Sequence, residues 1–177
     1  MKHIAKPQEA EHAVYYEKFI ALVDANKSVL DQLKSNAKMI EQSVLLLSDD
    51  ILSRTYAEGK WTIKDILMHL IDGERVFLYR AMRFARNDKS PLPFFDENEF
   101  AKQANATAMP IRKILKEYKT TRQATLAFFN NQSVATLKRI GMASNASMSV
   151  RACAWIICGH ELHHWNIIQD RYLGARL

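Results

Sequence analysis

Helix breakers are scarce in this chain: among 177 residues there are 5 glycines and 4 prolines. These residues usually interrupt helices, so their scarcity leaves room for long unbroken ones. Cysteine is nearly absent. Cys153 and Cys158 stand five apart on one expected helix, about 140° around its axis, so they face different ways and cannot bridge each other. They read as small buried apolar residues, and a reducing cytoplasm is the simplest compartment. Long apolar runs are also missing. Stretches such as Val44 to Leu47 and Cys153 to Cys158 are far too short to span a bilayer, and no membrane partner is expected. Met1 to His12 is polar and contains Pro7, so no signal-peptide core is expected there. No internal repeat, low-complexity tract or convincing strand stands out.

What is present is an ordinary globular balance, 48% apolar and 25% charged, at a length that suits one domain over 1–177. The formal net charge of +6 attracts anions but is too diffuse to select among anionic metabolites, acidic thiols and nucleic acid.

Four helical segments can be placed. The first runs from about Asn26 to Leu47, with Val29, Leu30, Leu33, Ala37, Ile40, Val44 and Leu47 on one stripe and Asn26 or Ser28 as cap. Before it, His12 to Asp24 is expected to pack along the bundle as a short helix or turn. The second helix starts at Thr62, where Thr62 and Asp65 approximate a capping box and Trp61 and Ile66 a hydrophobic staple; it runs to about Asn87. A long connection over 88–109 follows, with Pro91, Pro93 and a short helix expected from Asp96 to Ala104. Pro110 opens helix three, which buries Ile111, Ile114, Leu115, Tyr118, Thr125, Phe128 and Phe129. Ser147 or Ser149 caps helix four, which stops near Gly174. The expected fold is therefore all-α: an up-down four-helix bundle with one long crossover between helices two and three. In that arrangement helices two and four run in the same direction.

Helix four carries Gly159-His160-Glu161-Leu162-His163-His164-Trp165. His160 and His164 are four apart and leave one helix face a turn apart, a spacing that suits two nitrogens on one metal. A lone histidine is usually solvated or hydrogen-bonded in a core; a pair on an apolar stripe is less easily dismissed. His69, on the face of helix two shared with Ile66 and Gly73, is the best third ligand. His3 and His12 lie in the terminal segment, where solvation is the default. His163 points about 100° away from His164 and is the chief rival for a ligand place.

The stretch Trp61 to Arg75 resembles the helix-two signature of the DinB-like family of metalloenzymes, and Gly159 to His164 resembles its helix-four signature. The likeness continues through Tyr79-Arg80, Arg83 to Arg86, Phe95-Asp96 and Arg139-Ile140-Gly141. It implies an unusual four-helix bundle, commonly a homodimer, with a three-histidine site for one divalent metal, zinc or nickel. Its ligands would fall on His69, His160 and His164. The best-defined activities of that family are metal-assisted thiol reactions, including S-transfer from bacillithiol or mycothiol, so the resemblance also implies an anionic low-molecular-weight thiol as partner.

Two other motifs are literally present. His160 to His164 reads HExxH, the zinc-protease string, but only thirteen residues follow His164, with no further His or Glu. Glu161 to His164 reads ExxH, as in di-iron bundles, but helix two offers no second copy. Around the histidines, Glu161 and Asp72 are candidates for a base or a carboxylate that orients a ligand, with a solvated surface as the plainer reading of Asp72. Arg80, Arg83 and Arg86 form a basic stripe that is either paired and solvated or, through Arg80 and Arg83 beside Trp61, holds an acidic substrate. No base-reading motif accompanies them, so nucleic acid is not expected. The leading function is metal-dependent thiol transfer; the alternatives are metal-dependent hydrolysis and a non-catalytic, DNA-damage-associated metal-binding bundle.

Overall fold

The computed structural model describes residues 2–174; Met1 and residues 175–177, part of the expected domain, lie outside the described residues. Among the described residues eight α-helices form. They are α1 (Glu17–Ile20), α2 (Val29–Val44), α3 (Asp49–Ser53), α4 (Ile63–Ala85), α5 (Glu97–Ala104), α6 (Ile111–Asn130), α7 (Val134–Leu137) and α8 (Val150–Ile167). The long ones, α2, α4, α6 and α8, make a four-helix bundle. None of the described helices is long and apolar enough to cross a membrane.

Local chemistry sets the helix starts. Ser28 caps α2 by accepting from the Asp31 N–H, and Ser149 caps α8 by accepting from the Ala152 N–H. At α4 the capping box is complete, with Thr62 accepting from the Asp65 N–H at 3.1 Å and Asp65 accepting from the Thr62 N–H at 3.0 Å. Pro110 stands at the cap of α6 rather than inside its first turn. Asp96 caps α5 within the crossover, as the sequence suggests.

The helix directions differ from the expectation. Both α2 and α4 pack against α6 and α8, so α2 lies diagonally across the bundle from α4, and α6 from α8. The Tyr172 hydroxyl, just past α8, donates to the Trp61 carbonyl at the start of α4, while Arg139, ahead of α8, donates to the Ala85 carbonyl at the end of α4. Helices α4 and α8 are therefore antiparallel, not parallel. By contrast α4 and α6 run together: Lys64 reaches the Thr107 carbonyl near one end, and Glu74 meets Arg122 half-way along. The order is up, down, down, up. The long crossover is what a chain needs to return to the same end before starting a parallel neighbour.

No strand was expected, yet Ile140–Ala143 (β1) pairs antiparallel with Ala146–Ser149 (β2). The turn residues Ser144 and Asn145 both have positive φ, 50° and 61°, the conformation of a two-residue hairpin turn. Leu92 of the crossover bridges to β1 on either side of Ala143, donating to the Met142 carbonyl and accepting from the Ser144 N–H, each at 3.0 Å.

The core forms two apolar clusters with a polar layer between them. One gathers Val29, Leu33, Phe84, Phe129 and Trp155; the other gathers Ile40, Leu67, Tyr118, Trp165 and Ile168. On α8 the first ends at Cys158 and the second begins at Trp165, so the histidine segment lies at their junction. Both cysteines are free and fully buried, and burial pushes the Cys153 thiol up to about 12. Most of α8 is buried nearly all round, as befits a central helix.

Candidate metal centre

Three imidazoles converge at this junction. One ligand nitrogen from each of His69, His160 and His164 lies within 4.8 Å of the others, and the Nε2 atoms of His69 and His160 are 3.0 Å apart. The ring centroids are 4.6 to 4.8 Å from one another, and each pair of rings is close to perpendicular. His69 comes from α4; the other two leave α8 one turn apart. The antiparallel arrangement still brings them level, because the first part of α4 lies beside the last part of α8.

The walls of the site hold these rings in place. Trp61 lies against His69 at 4.7 Å and stacks on His164 at 6.4 Å. Phe19 presents an edge contact to His160 at 5.2 Å. Phe19 belongs to α1, which crosses α8 at Gly159; a Cβ on Gly159 would come within 1.9 Å of the Phe19 carbonyl oxygen, so only glycine allows the crossing.

Burial keeps the three rings neutral. It pulls His69 down to about 4 and His164 to about 3, and it lowers His160 well below the usual histidine range, with the neighbouring rings adding to the effect. Neutral imidazole is the form that binds metal. The Nδ1 atom of His164 is buried with no hydrogen-bond partner, an orphan that a ligand or a bound water would satisfy. Donor type, convergence and protonation state all fit a divalent transition metal.

One side of the cluster is open. A cavity of about 250 Å³ is lined by all three histidines together with Trp61, Phe19, Lys18, Tyr15 and, from the crossover, Phe95 and Glu97. A second cavity, also about 250 Å³, lies beyond the Trp61–His164 wall, against Tyr56, Lys60 and Tyr172.

The remaining sequence candidates divide. Trp61 is in the site. His163 borders the same cavity, half-buried, its ring 5.1 Å from that of His164, but it stands outside the three-nitrogen cluster. Asp72 pairs with Arg75 at 3.6 Å and does not line the cavity; burial raises its pKa. Glu161 points inward, 1% exposed, and is bonded to Arg122 and the Tyr118 hydroxyl. Arg80 is 2% exposed and donates to the Pro93 carbonyl at 3.0 Å and to Ser144 Oγ at 2.9 Å, tying the crossover to the hairpin. Arg83 pairs with Asp88 and the Tyr79 hydroxyl. The structure thus brings neither arginine to the histidines. The cation at the cavity is Lys18, which the sequence reading did not single out; its only sequence signal is its place among Tyr15, Tyr16 and Phe19.

Residues 32–168 match the family model described as the DinB superfamily. A protein of Oceanobacillus iheyensis named "Putative metal-dependent hydrolase" is 26% identical over 137 residues, covering 76% of this chain and 78% of that protein. A Geobacillus thermodenitrificans protein of the same name is 28% identical over 129 residues, 71% of each chain. Among solved structures, YfiT from Bacillus subtilis, described as "a probable metal-dependent hydrolase with an unusual four-helix bundle topology", aligns with a TM-score of 0.70 at 18% identity, over 97% of this chain and 94% of its own. A mycothiol-dependent maleylpyruvate isomerase aligns at 0.64 and 10% identity, over 77% of this chain and 57% of its own.

Proposed function

The chain belongs to the DinB superfamily, and from that premise we propose a metal-dependent enzyme that activates a small anionic thiol for transfer to an electrophilic carbon. His69, His160 and His164 would hold one divalent transition metal, which the family resemblance makes zinc or nickel; imidazole nitrogen suits both. When bound, such a cation favours the deprotonated form of a coordinated thiol or water at neutral pH.

The protein's own groups do the rest. Trp61 and Phe19 fix the ring planes and keep water from the buried side. Lys18, an exposed residue lining the cavity, would pair with a carboxylate on the incoming thiol. The thiol proton leaves to solvent, sulfur bonds to carbon, and the leaving group departs with its electron pair. The observation that carries this reading is the cluster of three neutral imidazoles with one side open to a cavity. A closed structural site would have no use for that opening.

Hydrolysis is the second reading, favoured by the names of the two sequence relatives. It asks more of the protein, since water attack usually draws on a general base. Glu161 is engaged inside the bundle with Arg122 and Tyr118, which leaves Glu97 as the carboxylate lining the cavity.

The test uses cobalt-substituted protein and a panel of thiols. A thiol that binds should perturb the cobalt spectrum and react faster with a haloarene, and His69→Ala should lose both effects. An anionic thiol should outperform a neutral one, with Lys18→Ala narrowing that difference. If no thiol changes the spectrum while an ester panel is hydrolysed, the hydrolase reading replaces this one.

A further inference from the structure

We propose that Arg122 is the positioning residue of the metal centre: its buried guanidinium sets the register of α4 against α8 and so the spacing of His69 and His160. The inference rests on the reading of the three histidines as a metal site.

Arg122 sits near the middle of α6, 3% exposed. Its Nε donates to Glu74 Oε1 at 2.9 Å and its Nη2 to Glu74 Oε2 at 2.9 Å, a two-pronged grip on α4. Nη2 also donates to Glu161 Oε1 on α8, and Nη1 lies 3.4 Å from Glu161 Oε2. Nη1 further donates to the Leu33 carbonyl of α2, and the Tyr118 hydroxyl donates to Glu161 Oε1. One side chain therefore bonds to each of the other three long helices.

Its partners stand beside the ligands. Glu161 directly follows His160, and Glu74 lies five residues past His69. With α4 and α8 antiparallel, His69 is displaced about 7.5 Å from the Glu74 level and His164 about 4.5 Å from the Glu161 level, toward the same end of the bundle. A slip of α4 against α8 by one residue would move His69 about 1.5 Å relative to the other two rings, more than a coordination distance tolerates. Apolar packing alone resists such a slip weakly, because it is not directional. The two-pronged bonds resist it strongly.

Two variants test this. In one, Glu74→Leu, Arg122→Met, Glu161→Leu and Tyr118→Phe together replace the network by apolar groups of similar size, an exchange that buried ion pairs often tolerate. In the other, Arg122→Lys keeps the charge but loses the planar fork. Helicity and thermal melting report the fold, chelator competition reports cobalt affinity, and imidazole ¹⁵N shifts of the metal-free protein report the ring arrangement. The expected result is at least tenfold weaker cobalt binding in both variants, with shifted His69 and His160 resonances and helicity kept in at least Arg122→Lys. Unchanged affinity and unchanged imidazole shifts in a folded variant would overturn the proposal. Wild-type protein that takes up no cobalt would fail the metal reading instead, and the imidazole shifts would then decide the role of Arg122 by themselves.

Discussion

Gly73 on α4 faces the ring of His160 on α8: a Cβ built on Gly73 would lie 3.4 Å from His160 Cε1 and 3.7 Å from Nδ1. The absent side chain lets the imidazole come close to the α4 backbone, on the face from which His69 also projects. Alanine would touch the ring with little room to spare, and a branched side chain would displace it. Gly73→Val should therefore weaken metal binding at least tenfold with helicity retained. Chelator competition checks this, and equal affinity would mean the ring is free to move.

Removing a ligand should act more sharply. His164→Ala should abolish tight metal binding while the fold survives, since the ring supplies one of the three clustered nitrogens and its loss would leave two. His163→Ala should leave metal content nearly unchanged, because that ring stands outside the cluster. Elemental analysis of the two purified variants decides the assignment; loss of metal from the second would put His163 in the site.

Stability of the metal-free protein should fall on acidification. Burial lowers His69 to about 4 and His164 to about 3, below the ordinary unfolded value near 6.5. Between those values the unfolded chain binds protons that the folded chain refuses, so stability is full above pH 6.5 and declines below it. By pH 5 the loss should reach about 1–2 kcal/mol for each of these two rings. Denaturant melts at pH 7 and pH 5 measure it. Metal-loaded protein should show a steeper decline, since the proton and the metal compete for the same nitrogens.

Cutting one partner from the buried network should cost more than removing the whole. Arg122→Ala leaves Glu74 and Glu161 buried without their cation and should destabilise the fold by about 3–5 kcal/mol. Chemical denaturation checks this. A loss under about 1 kcal/mol would mean that water or a neutral carboxyl takes over.

Much of this architecture is legible in the sequence where the determinants are local. The Thr62–Asp65 box and the Ser28 and Ser149 caps need only residues within one turn, and the His160–His164 face needs only helix geometry. The hairpin is not legible in the same way: its strands are four residues each, and the turn is Ser144-Asn145 rather than a glycine pair. Helix direction depends on where the connections travel, which composition does not encode. The roles of the arginines do leave a trace. Tyr118, Arg122, Thr125 and Phe129 share one buried stripe of α6, as Gly73, Phe77, Arg80 and Phe84 do on α4. An arginine at such a position should be read as an internal bond-maker before a surface contact.

The crossing of α1 over Gly159 has a consequence for the order of assembly. The segment that walls the cavity, carrying Tyr15, Lys18 and Phe19, leaves the ribosome well before the helix it must rest on. Glu11 waits for Arg151, and the Ile4 carbonyl waits for the Trp155 indole, at separations of 140 and 151 residues. Closing loops of that length is slow relative to forming helices. The front wall should accordingly be among the last parts to settle during synthesis. Until α8 docks, the nascent chain holds a single one of the three clustered histidines, and the metal should join the protein as one of the closing events of folding.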